Sequence, residues 1–94
     1  MFIDSVHPGR LLAEEMESRG LNPNSLALKL RTNRNAISEI VEGKRAISPV
    51  MALRLGRYFG NGPDLWLNMQ TAYDLWQAKQ EFGATVEKEV EQAA

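Results

Sequence analysis

Apolar side chains recur along this sequence at intervals of three and four residues, the spacing that places them on one face of an α-helix. Glycines, prolines and small polar residues divide this pattern into five segments. The predicted helices span residues 8–20, 24–30, 34–42, 48–60 and 63–82. The pattern therefore predicts an all-α domain.

The second and third predicted helices are about two turns long each, and the turn at residues 31–33 is too short for them to lie antiparallel. Both helices are amphipathic. The inward-facing residues are Leu26, Ala27 and Leu30 on the second predicted helix and Ala36, Ile37, Ile40 and Val41 on the third. This arrangement is typical of a helix-turn-helix, which places its second helix in the major groove of DNA.

The outer face of the third predicted helix begins with Arg34 and Asn35, and Ser38 follows one turn later. Arginine can donate two hydrogen bonds to guanine, asparagine can bind adenine through its amide, and the serine hydroxyl adapts to several bases. We therefore expect these three residues to contact base edges. Any amphipathic surface helix has a polar outer face, so this interpretation also depends on the surrounding charge.

Charge is distributed unevenly along the chain. Residues 29–57 hold seven Lys or Arg and two acidic residues, a net charge of +5, whereas the remainder holds four basic and ten acidic residues. The overall charge of −1 hides this asymmetry. Because salt screens charges beyond roughly 8–10 Å, a phosphate responds to the local charge. We expect phosphate contacts from Asn24, Arg31, Lys44 and Arg45.

Length and composition limit the other functions. A chain of 94 residues is expected to form one domain with a modest core. It has no cysteine for a disulfide or a thiolate zinc site, so its stability must come from packing or from a partner subunit. The sequence shows neither a signal peptide pattern nor an apolar run long enough to span a membrane. We expect a soluble, cytoplasmic protein.

Catalytic and metal sites have little support in the sequence. His7 is the only histidine, and a single histidine without cysteine is a poor basis for a metal site or a catalytic triad. We expect His7 to shape the entry to the first helix, where Pro8 suits the first helical position. The pair at residues 43–44 is not a phosphate loop, because Arg45 stands where Ser or Thr should follow. The sequence therefore predicts no enzyme, no cofactor and no metal.

The fifth predicted helix has more apolar surface than a small bundle needs. One stripe, assigned to the core, consists of Leu65, Met69, Ala72, Tyr73 and Trp76. A second stripe of Leu75, Ala78 and Phe82 is better explained by a subunit interface. From Gly83 the composition turns to Glu, Lys, Gln and Ala. We expect a DNA-binding and dimerisation domain at residues 1–82 and an acidic, partly disordered tail at residues 83–94.

Three motifs carry a resemblance to a known family. They are His7-Pro8-Gly9, the segment at residues 37–48 (ISEIVEGKRAIS) and the segment at residues 63–76 (PDLWLNMQTAYDLW), which generic repressors lack. With these motifs, residues 7–76 resemble the HigA-type antitoxins, a branch of the phage-repressor-like helix-turn-helix proteins. The resemblance implies a five-helix phage-repressor-like domain with an extended C-terminal helix.

The resemblance also implies a function. HigA-type antitoxins are homodimers that repress their own operon at an inverted-repeat operator and neutralise a RelE-like, messenger-RNA-cleaving toxin by binding it. The alternative is a stand-alone helix-turn-helix regulator without a toxin.

This chain departs from the family at three positions. The family usually has Gly where this chain has Arg31, and often has Pro and Arg where it has Arg34 and Ala36. If residue 31 is left-handed, arginine there costs on the order of 1 kcal/mol. The altered residues at 34 and 36 imply a different operator sequence.

Charge indicates where such a toxin would bind. An RNA-cleaving toxin binds a polyanion and is therefore expected to present a basic surface, which an acidic partner complements. Two acidic regions are available: Glu14, Glu15 and Glu17 on the first helix, and the tail at residues 81–91. We expect the first helix to be the toxin surface, because a disordered tail would lose conformational freedom on binding.

Overall fold

The computed structural model describes residues 6–93, and within that range all regular structure is helical. The five helices are α1 (Gly9–Ser18), α2 (Pro23–Leu30), α3 (Arg34–Val41), α4 (Pro49–Phe59) and α5 (Pro63–Glu89). The all-α, five-helix prediction is confirmed. Residues 1–5 of the expected domain and residue 94 of the expected tail lie outside the described residues.

Short polar side chains begin the helices of the helix-turn-helix. The Asn22 side chain accepts a hydrogen bond from the Ser25 N–H at 2.9 Å, and the Ser25 hydroxyl accepts from the Asn22 N–H at 2.9 Å. This reciprocal pair is a capping box, with Pro23 as the first helical residue. The predicted start of α2 at Asn24 was wrong by one residue, because the helix begins at Pro23 and Asn22 is its cap. Asn24 lies exposed in the first turn.

The core forms where the five helices meet. The largest fully buried side chains of the helices are Trp66, Leu12, Leu26, Ile37, Ile40 and Leu55. The Trp66 indole N–H donates to the Asn61 side chain at 2.9 Å, which satisfies the one polar group of this ring. On α5 the buried residues are Trp66 and Gln70. The expected core stripe beginning at Leu65 was therefore wrong in phase, because the large indole takes the central position and leaves Leu65 38% exposed.

Gly9 lets α1 pack directly on the backbone of α3. A Cβ atom at Gly9 would lie 1.8 Å from the Ile40 carbonyl oxygen. No side chain fits at this distance, which gives the glycine of the His7-Pro8-Gly9 motif a packing role. The contact also fixes the C-terminal half of α3 relative to the start of α1.

The fifth helix is longer than the sequence pattern indicates. It was expected to stop near Phe82, but in the structure it continues through Gly83 to Glu89. The Glu, Lys, Gln and Ala residues of this segment have high helix propensity, which offsets one glycine. At about 1.5 Å per residue, α5 is roughly 40 Å long. In residues 6–93, the structure contains no helix that is both long and apolar enough to cross a membrane.

Candidate nucleic-acid interface

Helix α3 exposes the predicted base-contacting face. Ala36, Ile37 and Ile40 are buried, which fixes the helix against the core on one side. Arg34 and Asn35 are exposed in its first turn, and Ser38 is half-buried. The Asn33 side chain accepts from the Ala36 N–H at 2.8 Å and holds the first turn in place. The structure thus brings the three predicted base-contacting residues together.

The segment after α3 carries Lys44 and Arg45, and both side chains are exposed beside acidic partners. Lys44 Nζ lies 3.2 Å from Glu42 Oε1. One carboxylate oxygen of Glu39 accepts from Arg45 Nε at 2.8 Å and lies 2.6 Å from its Nη2. Exposed pairs of this kind contribute at most about 1 kcal/mol, so they do not prevent either cation from meeting a phosphate.

Sequence reasoning missed the role of Glu39. It lies four residues after Asn35, so the two side chains share one face of α3. Its carboxylate orients the Arg45 guanidinium and adds a negative charge next to the predicted base-contacting residues. The turn conformation at residues 42–45 brings the two residues together, and nothing in their spacing reveals it.

The same segment is anchored to α5 through Gln70, the one polar side chain that is buried in the described part of the chain. Gln70 accepts from the Ile47 main-chain N–H at 2.8 Å and donates to Asp74 at 2.9 Å. Both ends of the Gln70 amide are therefore satisfied, as burial requires. The segment is held to α5 by this hydrogen bond.

His7 lines a cavity together with this segment and Gln70. Its Nδ1 accepts from the Gly9 main-chain N–H at 2.9 Å, and its ring packs edge-on against Tyr73 with centroids 5.0 Å apart. Burial lowers the pKa of the His7 imidazole below its ordinary value. A hydrogen bond with the Arg45 main chain and the charge of Asp74 act in the opposite direction on this pKa.

The remaining predicted phosphate contacts lie at the two ends of α2. Asn24 is in its first turn, and Arg31 follows its last residue, about 10 Å away along the helix axis. Arg31 is left-handed, with φ 59° and ψ 46°. The structure therefore does not bring Asn24 and Arg31 together, although both are exposed.

The predicted partner surfaces are also exposed. On α5, Leu75 and Phe82 are 54% and 57% exposed, and Ala78 lies between them. On α1, Glu14 and Glu17 are exposed and Glu15 is half-buried. Glu14 lies 3.9 Å from Arg10 and Glu15 pairs with Arg19, so neighbouring arginines partly neutralise this acidic face.

Comparison with known proteins places this geometry in a family. The family model described as "Helix-turn-helix" matches residues 12–66, more than half of the chain. Virulence-associated protein I of Dichelobacter nodosus is 47% identical over 78 residues, which cover 82% of this chain and 72% of that protein.

Two solved antitoxin structures match nearly the whole chain. An addiction module antidote protein of the HigA family from Coxiella burnetii is 40% identical, with a TM-score of 0.90 over 95% of this chain and 98% of that one. The Pseudomonas aeruginosa antitoxin HigA, solved with the higBA promoter, is 35% identical, with a TM-score of 0.92 over 96% and 99%. The helix-turn-helix family and its HigA branch are DNA-binding regulators and not enzymes. The chain therefore belongs to the helix-turn-helix family and, within it, to the HigA-type antitoxins.

Proposed function

We propose that this protein is the antitoxin of a type II toxin–antitoxin module. As a cytoplasmic homodimer, it binds an inverted-repeat operator, represses its own operon and neutralises a RelE-like, messenger-RNA-cleaving toxin by direct contact. The DNA-binding part of this proposal rests on the first turn of α3, which is exposed. The opposite face of this helix packs on the core, and the basic segment that follows the helix flanks it. A relative of the same fold was solved with promoter DNA, which supports the same use of this face.

The two groups of DNA-contacting residues have different tasks. Arg34, Asn35 and Ser38 contact base edges and determine sequence preference. Asn24, Arg31, Lys44 and Arg45 contact phosphates, which fixes the position of α3 in the groove without selecting a sequence. Glu39 orients Arg45 from the base-contacting face.

Substitution separates the two tasks. Arg34→Ala should lose about 1–3 kcal/mol of discrimination between the duplex upstream of the protein's own gene and a random duplex. Lys44→Ala should weaken binding to both duplexes alike and reduce the salt slope by about 1. Lys88→Ala, at the far end of α5, removes the same charge and should change neither quantity. Fluorescence anisotropy titrations at several salt concentrations measure all three variants.

A different pattern would contradict the assignment. If Arg34→Ala keeps both the affinity and the preference of the wild type, α3 does not contact bases through this residue. If Lys44→Ala and Lys88→Ala behave alike, the segment after α3 does not contact phosphates.

The homodimer rests on the apolar stripe of α5. Leu75, Ala78, Phe82 and Val86 recur at intervals of three and four residues and therefore share one face. No residue from 77 to 89 is buried, so this half of the helix lacks packing within its own chain. Isolated helices of about 12–15 residues are marginal in water. A second copy covering this stripe supplies the missing packing, and a dimer matches the two half-sites of an inverted repeat.

The toxin surface is assigned to Glu14, Glu15 and Glu17 on α1. These carboxylates complement the basic surface expected of an RNA-cleaving enzyme. The extension of α5 to Glu89 changes the comparison with the second acidic region, because Glu81, Glu87 and Glu89 are also preorganised on a helix. Preference for α1 now rests on the density of charge alone, three carboxylates within four residues. Without a toxin, the protein would act as a stand-alone regulator through the same DNA-binding face.

A further inference from the structure

Four basic side chains surround one shallow cavity where the end of α2 meets α4. The cavity, called the α2–α4 cavity below, has a volume of about 220 Å³ and is lined by Lys29, Leu30, Arg31, Arg54, Arg57 and Tyr58. All four cations are exposed, and among the described residues no carboxylate lines the cavity. This part of the surface therefore has only positive charge.

These cations also lack the ion pairs that other cations of the chain make. A carboxylate lies within 4 Å of Arg10, Arg19, Lys44 and Arg45. In residues 6–93, no carboxylate lies that close to any cation of the α2–α4 cavity. Like charges that converge without a counterion repel one another. The arrangement therefore favours a negatively charged ligand.

One guanidinium of the cavity is held in place by the backbone. Arg54 Nη1 donates to the Leu30 carbonyl oxygen at 2.9 Å, at the C-terminal end of α2. A guanidinium has five N–H donors, so the others remain available to the oxygens of an anion. Arg57 lies three residues after Arg54 on α4, and the two side chains share one face. The cavity thus offers donors whose positions are set by α2 and α4.

Helix dipoles explain two of the four cations. Lys29 lies in the last turn of α2 and Arg57 in the last turn of α4, where positive charge is favourable. They do not explain Arg31, which has a guanidinium at a left-handed position where glycine is favoured. They also do not explain why side chains from two helices line the same cavity.

The α2–α4 cavity lies at the start of α3, the end that carries the base-contacting residues. Arg31 lines the cavity and comes three residues before Arg34. Lys44 and Arg45 follow the other end of α3, which is roughly 12 Å long at 1.5 Å per residue. The two basic surfaces are therefore separated by the length of α3 and cannot contact the same phosphate.

We propose that Lys29, Arg54 and Arg57 join Arg31 in a second phosphate-binding surface, which contacts the DNA backbone near the start of α3. Phosphates then bind at both ends of this helix and fix its position in the groove. A toxin with a basic surface would be repelled here. The proposal rests on the DNA binding given under the proposed function.

A double variant tests the cavity and leaves the hydrogen bond of Arg54 intact. Lys29→Ala combined with Arg57→Ala should reduce the salt slope of DNA binding by about 2, because each lost phosphate contact reduces it by about 1. The loss of affinity between about 50 and 200 mM salt should be about tenfold smaller than in the wild type. Lys79→Ala combined with Lys88→Ala removes the same charge from exposed positions of α5 and should keep the wild-type slope. Fluorescence anisotropy with the labelled duplex upstream of the protein's own gene measures both variants.

A scan of this duplex with single methylphosphonates locates the contacts, since each one replaces a phosphate with a neutral group. Wild-type affinity should fall at two separate groups of positions in each half-site. One group should disappear in the Lys29→Ala and Arg57→Ala variant, and the other in Lys44→Ala combined with Arg45→Ala.

Three results would overturn the proposal. If the cavity variant keeps the wild-type slope, the cavity fits an acidic protein segment and not DNA. If both variants lose the same group of phosphates, the two surfaces are not separate. If the cavity variant only loses stability to urea and keeps the wild-type scan, its cations serve the helix dipoles. The proposed function fails separately: in that case the wild type binds this duplex no more tightly than a random one.

Discussion

Arg31 occupies a backbone conformation that favours glycine. It is the one non-glycine residue with positive φ in the described part of the chain, at 59°. An L-residue in this conformation is disfavoured by roughly 1–2 kcal/mol. The residue also lies in the turn that leads into α3, so it both destabilises the fold and supplies a positive charge beside this helix.

These two effects can be separated by substitution. Arg31→Gly should raise the free energy of unfolding by about 0.5–1 kcal/mol, since the strain is relieved while glycine adds entropy to the unfolded chain. Arg31→Ala keeps the strain and should leave stability nearly unchanged. Both variants should bind DNA more weakly with a smaller salt slope. Urea unfolding and salt-dependent anisotropy provide the measurements, and equal stability of the two variants would contradict the strain.

Gly9 makes the contact between α1 and α3 possible. Gly9→Ala places a Cβ 1.8 Å from the Ile40 carbonyl oxygen, and backbone on both sides prevents a local adjustment. We expect a loss of about 3 kcal/mol in the free energy of unfolding. Gly83→Ala is the matched control, because the nearest atom to its Cβ would be Lys79 Cβ at 3.9 Å. The free energy of unfolding of the control should rise by about 0.5–1 kcal/mol. A Gly9→Ala variant with nearly the stability of the wild type would refute this close packing.

Sequence reasoning reached some residues and missed others for identifiable reasons. It placed Arg34 and Asn35 on the exposed face of α3 because helical periodicity determines orientation. It started α2 at Asn24, whereas the structure has Asn22 as the cap, because only the hydrogen bond with Ser25 distinguishes the two asparagines. The contact between Glu39 and Arg45 depends on turn geometry that the sequence does not encode locally.

Prolines, glycines and polar caps predicted the helix boundaries to within two residues, except at the end of α5. Gly83 and the acidic composition were interpreted as the start of an acidic, partly disordered tail, but the helix continues to Glu89. Glycine weakens a helix interior by only about 1 kcal/mol, which good helix formers on both sides offset. The phase of the α5 core was missed because the buried residues, Trp66 and Gln70, belong to neither apolar stripe, and packing against α4 determines which face is buried.

The exposed half of α5 carries the prediction for assembly. Leu75→Glu combined with Phe82→Glu should give a folded monomer that has lost tight operator binding, because charges replace the apolar stripe. Leu53→Glu is the matched control: this leucine is 59% exposed, against 54% for Leu75, but lies on α4. It should remain dimeric. Light scattering at micromolar concentration measures the mass, and a wild-type mass of one chain would refute the α5 dimer.

Across the whole molecule, the charge is basic at residues 29–57 and acidic on α1 and the end of α5. This separation allows one chain to meet nucleic acid and a basic protein through different surfaces. The resemblance to the family also extends over most of the chain, because its three motifs are spread over residues 7–76.

Charge reversal tests the toxin surface. Glu14→Lys combined with Glu17→Lys should reduce capture of the cognate toxin in a pull-down, because it opposes a basic partner. Glu81→Lys combined with Glu91→Lys makes the same charge change at the other acidic region and should preserve capture. The reverse result would assign the toxin to the end of α5.

The proposed function requires that two copies of α3 contact an inverted repeat. Selection from a random DNA library followed by sequencing tests this claim. The wild type should enrich an inverted repeat with half-site centres about 10 bp apart, or a multiple of that distance. Arg34→Ala should lose the preference at one position in each half-site. An enriched pool without a repeated half-site, or one that Arg34→Ala leaves unchanged, would contradict the claim.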